Sequence, residues 1–119
     1  MADNAAGQTL TKGWDQGTPG FASGKIVFDA TTITATEFTR VVTGFKPRYV
    51  RLQASSGVSI EWFEGMTDNT CFKSAAAGGN TLETTNGGIT VDSQGFRVLQ
   101  NATLVAILAS STVYYTAHV

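Results

Sequence analysis

The sequence predicts an all-β fold: an antiparallel β-sandwich, jelly-roll-like, of about eight strands, with an extended N-terminal arm. Two observations predict it. Short segments rich in Val, Ile, Thr and aromatic residues recur at intervals of about eight to twelve residues, each bounded by Gly, Asn, Ser or Pro. The stretch from Gly44 to Met66 also reads as two amphipathic strands around a Gly-containing turn. Its first strand alternates Val50, Leu52 and Ala54 with Tyr49, Arg51 and Gln53. The second alternates Val58, Ile60 and Trp62 with Ser59, Glu61 and Phe63. Side chains on a strand repeat every two residues, so each segment offers one apolar face to a core. The Ser55-Ser56-Gly57 connection favours a hairpin.

Taken in order, residues 1–23 differ in texture from the rest. They are rich in Gly, Ala, Thr and Asn, show no sustained period, and contain the turn pair Pro19-Gly20. Trp14 and Phe21 are unusual in such a segment, and an extended arm that anchors its aromatics on a neighbouring surface accounts for them. Residues 24–119 form the sandwich domain. Its candidate strands are Lys25–Ala30, Glu37–Thr43, Arg48–Ala54, Val58–Glu64, Thr70–Ser74, Thr81–Thr85, Ile89–Val91, Phe96–Gln100, Thr103–Ala109 and Thr112–His118. Gly78-Gly79-Asn80, Asn86-Gly87-Gly88 and Ser93-Gln94-Gly95 separate the later ones. Val50, Leu52, Ile60, Trp62, Val98 and Tyr115 are the expected core.

Several strands are apolar on both faces. Val41-Val42, Trp62-Phe63 and Tyr114-Tyr115 are adjacent pairs, and Leu104 to Leu108 is apolar throughout. Neighbours on a strand point to opposite sides, so a sandwich buries only one member of each pair. A bulge could reorient one of them. Three pairs and a run call for a cover from an arm, a loop or another subunit.

Composition excludes several classes of function. At 119 residues, 42% hydrophobic and 14% charged, with net charge −1, the chain is a globular domain without the basic excess of a nucleic-acid binder. One cysteine, Cys71, and one histidine, His118, rule out an internal disulfide and the multi-Cys and multi-His metal patterns. Met1-Ala2-Asp3-Asn4 lacks the start of a signal peptide. The run Leu104–Ala109 falls far short of the ~20 residues that span a bilayer.

No chemistry converges. Glu61 and Glu64 are three apart on a strand and face opposite ways, so they cannot flank one bond. Asp68-Asn69-Thr70 lacks the ligand spacing of a calcium loop and suits an Asx-type turn. Cys71 and His118 lack an orienting third residue, and Cys71 beside Phe72 reads as a small buried residue. The glycine pairs carry no P-loop lysine. Arg40, Lys46, Arg48 and Arg51 form the only basic cluster, which reads as a solvated strand face. No catalytic residue, cofactor or metal site is expected.

The blocks Gly44-Phe45-Lys46-Pro47-Arg48-Tyr49-Val50, Glu61-Trp62-Phe63-Glu64-Gly65-Met66, Lys73-Ser74-Ala75-Ala76 and Gly88-Ile89-Thr90-Val91, with the Tyr114-Tyr115 ending, resemble a family of small tailed-bacteriophage virion proteins. The resemblance runs from about residue 25 to 119, and the order of the blocks carries it more than any one block. It implies a non-enzymatic capsid decoration, or cement, protein made in the host bacterial cytoplasm and carried on the virion. The implied partners are the major capsid protein and further copies of the chain, as a dimer or trimer, with no nucleic acid and no membrane. Trp14, Phe21, Phe63 and Tyr114 are the expected protein-contact residues. The alternative expectation is a tail or fibre module that binds a carbohydrate or a host receptor, with Trp14 or Tyr114 stacking on sugar rings.

Overall fold

The computed structural model describes residues 8–12, 20–33, 37–75, 78–101, 104 and 110–119. The described residues form ten strands: β1 (Gln8–Lys12), β2 (Phe21–Phe28), β3 (Phe38–Val42), β4 (Tyr49–Ala54), β5 (Ser59–Phe63), β6 (Cys71–Ser74), β7 (Asn80–Glu83), β8 (Ile89–Asp92), β9 (Gly95–Leu99) and β10 (Thr112–His118). They pair into a seven-stranded sheet, ordered β1-β2-β10-β4-β5-β6-β7, and a three-stranded sheet, ordered β3-β9-β8. Every strand pairing is antiparallel. The expected antiparallel sandwich is the fold.

The β4–β5 hairpin follows from its sequence. Gly57 N donates to Ala54 O at 3.0 Å and Ala54 N to Val58 O at 2.8 Å, with Gly57 at φ +97°. A three-residue loop closing on a left-handed residue needs glycine there, because a Cβ would crowd the following carbonyl. Val50, Leu52 and Ala54 point inward, as do Val58, Ile60 and Trp62. All six expected core residues are buried.

The core lies between the sheets. From the large sheet come Ile26 and Phe28 of β2, Val113 and Tyr115 of β10, and the inward residues of β4 and β5. From the small sheet come Val41, Phe96, Val98 and Ile89. Phe96 meets Tyr115 edge-on, with ring centroids 5.9 Å apart and planes at 65°. That is a favourable aromatic geometry, and it pins the middle of one sheet to the middle of the other. A bridge between Thr70 and Ile89 ties the sheets together at one corner. There Asn69, at φ +62°, accepts through Oδ1 from Gly88 N at 3.2 Å. The Asp68-Asn69-Thr70 segment is thus a turn clip between two elements.

Two boundaries differ from the sequence reading. β2 begins at Phe21 rather than Lys25, because β10 pairs with it all the way down to Phe21↔His118. Backbone pairing with a long neighbour outweighs the weak strand propensity of Ala22, Ser23 and Gly24. Residues 8–12, inside the expected arm, form β1 against Gly24–Phe28. The expected strand Thr103–Ala109 lies outside the described residues except Leu104, which is buried and whose N–H donates to Asn101 O at 2.9 Å.

Two glycines test the packing. A Cβ on Gly95 would run into the carbonyl oxygen of Val41 on the paired strand, whereas one on Gly44 would meet nothing within 4 Å. Gly44 is constrained only by its φ of +86°. Gly95→Ala is therefore expected to lower unfolding stability by about 2–4 kcal/mol and Gly44→Ala by about 1–2 kcal/mol, both read by urea denaturation. Equal losses at the two sites would contradict this account.

Candidate functional site

Alternation splits each two-faced pair. Trp62 is 4% exposed beside Phe63 at 44%, and Tyr115 is 3% exposed beside Tyr114 at 52%. Val41 is buried beside an exposed Val42. No bulge rescues the second member, which stands on the outside of its sheet.

Phe63 and Tyr114 share one surface with most of the other exposed hydrophobics, while Val42 stands on the small sheet. Among the described residues eight large hydrophobics are exposed, and Phe21, Val27, Phe63, Phe72, Leu82 and Tyr114 all lie on the outer face of the seven-stranded sheet. Register places Phe21, His118, Tyr49 and Phe63 in one row across β2, β10, β4 and β5. Phe72 and Leu82 continue the band over β6 and β7, one step along the strands and level with Arg51 and Glu61. The rings touch along it. Tyr49 lies 5.0 Å from His118 and 5.2 Å from Phe63, and Phe63 lies 6.1 Å from Phe72, centroid to centroid. Contiguous exposed apolar surface on this scale marks an interaction site far more often than scattered single residues do.

Polar groups frame the band. Tyr49 Oη donates to Glu61 Oε2 at 2.6 Å, and Arg51 Nε lies 4.0 Å from the same oxygen. Burial, helped by the hydrogen bond to the Glu61 carboxylate, pushes the Tyr49 phenol up to about 12. Tyr49 is therefore a neutral donor at ordinary pH and holds its ring against Phe63.

The expected contact residues divide as follows. Phe21 and Phe63 share the aromatic row, and Tyr114 stands on the same face four residues up β10 from His118. Trp14 lies outside the described residues. Tyr49, His118, Phe72 and Leu82 were not singled out as contacts from sequence. The signal for Phe72 was its place next to buried Cys71, which sets the phase of β6; that Leu82 faces the same way follows only from the β6–β7 register.

The other chemical candidates do not converge. Glu61 faces Tyr49 and Arg51 on the outer face, while Glu64 pairs with Arg48 at 3.1 Å at the end of the sandwich. The basic cluster is scattered too. Arg40 makes a two-pronged contact with Asp92, at 2.6 and 3.2 Å, on the small sheet, far from Arg51 in the strand order. That guanidinium, together with backbone donors of Gln94 and Gly95, holds the Asp92 carboxyl below its ordinary value. A groove of about 770 Å³ opens beside Lys46, Arg48, Trp62, Glu64, Met66 and Asp68, with charges of both signs. Among the described residues no group of three or more His, Cys, Asp or Glu is placed to hold a metal ion, and no helix is long and apolar enough to cross a membrane. Cys71 is buried, which raises its thiol to about 12, with the Glu83 charge adding to the shift.

The fold therefore defines an antiparallel β-sandwich whose one distinctive surface is an aromatic sheet face. No family model, no curated protein and no solved structure matches the chain.

Three groups tie stability to alkaline pH. Cys71, Tyr49 and Tyr115 each hold their proton more tightly folded than unfolded, with values near 12 against ordinary values of 9.0, 10.0 and 10.0. Their contribution is complete below pH 9 and is lost as pH rises from there to about 12. Urea midpoints are expected to fall across that window, and Tyr49→Phe to flatten the part above pH 10. The native Cys71 thiol should resist iodoacetamide in mildly alkaline buffer and react once the chain is unfolded; alkylation at a free-thiol rate in the native state would contradict its burial.

Proposed function

We propose that this protein is a non-enzymatic structural component of a tailed-bacteriophage virion, a capsid decoration or cement protein that binds the outer surface of the major capsid shell. The observation that carries the reading is the aromatic band on the outer face of the large sheet. Five of its six strands, β2, β10, β4, β5 and β6, already bury core residues on their other side, so packing of the monomer gives no reason for the outward rings they carry. An adhesive protein has that reason. The ordered block resemblance from Gly44 to Tyr115 supports the virion assignment, and the scattered carboxylates supply no catalytic pair. Repetition over a shell would turn modest single contacts into strong collective attachment.

The rival reading, a tail or fibre module for carbohydrate or a host receptor, would use the same rings. Their planes lie at 55° between Tyr49 and Phe63 and 68° between Phe63 and Phe72. Rings so tilted do not make the level platform on which a run of sugars stacks, whereas they interdigitate well with the side chains of another protein.

Wild-type protein added to purified shells stripped of decoration is expected to saturate a fixed number of sites per shell subunit. Phe63→Ser should lower occupancy at a given concentration by about tenfold or more, with its thermal melt little changed. Full occupancy by the Phe63→Ser protein, or binding only to tails, would overturn the assignment.

A further inference from the structure

We infer that the occupant of the aromatic face is a second copy of this chain, packed face to face about a two-fold axis that passes between β4 and β5. The inference rests on reading that face as a contact surface, and it names the partner: the shell is then met by surfaces the pair leaves free, and Phe63→Ser lowers shell occupancy by breaking the pair and so halving its points of attachment.

Symmetry of the band points to the axis. The band crosses β2, β10, β4, β5, β6 and β7, and its midpoint falls between β4 and β5. A two-fold axis there, lying in the interface, sets β4 of one copy against β5 of the other, β10 against β6, and β2 against β7. Tyr49 then meets Phe63 of the second copy, His118 meets Phe72, and Phe21 meets Leu82. Apolar or aromatic groups oppose one another along the whole band. The charges also match, because Arg51 on β4 comes opposite Glu61 on β5 of the second copy, and the reverse contact is made once more. A self-complementary surface is what a two-fold interface requires.

The angle between the sheets is consistent with this arrangement. The band steps one side-chain repeat, about 6.8 Å, along the strands while crossing about 24 Å of sheet, an inclination of about 15°. An axis perpendicular to the band makes the strands of the two copies cross at twice that, about 30°, the magnitude at which twisted sheets stack face to face. The size fits as well. Six strands at about 4.8 Å and about five residues of height give roughly 500 Å² in projection, and more as the accessible surface of projecting side chains, on the scale of the ~800 Å² per partner of a stable pair. Tyr49, with its phenol already bonded to Glu61, brings no unmet donor into the contact.

The test is sedimentation equilibrium on the full chain. Wild type is expected to be a dimer at micromolar concentration. Arg51→Glu gives a chain with two acids at the centre, and Glu61→Arg one with two bases. Each alone should dissociate at least tenfold more readily, while an equimolar mixture should form a heterodimer, since every central contact is then between opposite charges. Circular dichroism and melts of each variant separate weakened folding from weakened pairing, and Arg51→Glu leaves the Tyr49–Glu61 bond untouched. A monomeric wild type, or a dimer indifferent to both charge reversals and to mixing, would overturn the inference. A monomer whose shell occupancy still falls with Phe63→Ser would leave the contact-face reading intact, and a dimer that ignores shells would overturn that shell assignment alone.

Discussion

The large sheet depends on its last strand. β10 pairs with β2 over seven residue pairs and with β4 over six, and among the described residues it is the only link in the sheet between the β1–β2 pair and the β4–β7 meander. Backbone contacts seal its far end, where Arg48 N donates to His118 O at 2.9 Å and Val119 N to Gly20 O at 3.0 Å. Its inward residues Val113, Tyr115 and Ala117 are buried, and Tyr115 reaches Phe96 of the small sheet. One strand thus joins the two halves of the large sheet and anchors the small sheet upon it. Because β10 pairs with strands far away in sequence, the entropy of loop closure is spent before its contacts form, a topology that slows folding.

The same strand exposes the asymmetry on which function turns. Three strands pack on the inner side of the large sheet, while among the described residues its outer side keeps six large hydrophobics exposed. Cross-strand aromatic pairing gives part of the reason for the outer rings, since a pair such as Tyr49–Phe63 stabilises a sheet by about 0.2–1 kcal/mol. Leu82 stands opposite Phe72 and shares that benefit, whereas Tyr114, 52% exposed, stands opposite Lys25 and Gln53 and does not. A half-exposed aromatic leaves about 100 Å² of apolar surface in water, worth about 2 kcal/mol on burial. Across the four exposed aromatics of this face, Phe21, Phe63, Phe72 and Tyr114, that driving force exceeds what local pairing returns.

Much of this was legible in the sequence, and what was not had a physical cause. Period-two alternation identified the core of the β4–β5 hairpin and the buried members Trp62 and Tyr115 of two two-faced pairs, because burial on a strand depends on phase alone. It also marked Phe63 and Tyr114 as outward. It could not reveal that Phe21, His118, Tyr49 and Phe63 line up, since that depends on register between strands distant in the chain. The early start of β2 was hidden for a related reason: Ala22, Ser23 and Gly24 read as loop until β10 lies beside them. The basic cluster of Arg40, Arg48 and Arg51 is close in sequence, yet the fold sends its members to different faces with different acidic partners.

A sheet with an apolar face and open edges can associate in two ways, and they differ in outcome. Pairing at the edges, along β7 for instance, extends the sheet and leaves a fresh edge at the far side, so growth has no natural end. Pairing by the face about a two-fold axis consumes the apolar surface once and stops. The band lies on the face and not along one edge, and its midpoint coincides with the middle of its six strands, so the closed arrangement uses all of it. The two small sheets, each with its Arg40–Asp92 pair, then point away from each other, and two end grooves come with them. A closed pair therefore presents every remaining surface twice. For a protein that must grip a repeating lattice, that doubling raises the strength of attachment without any new kind of contact, and it requires only that the aromatic face be matched to itself.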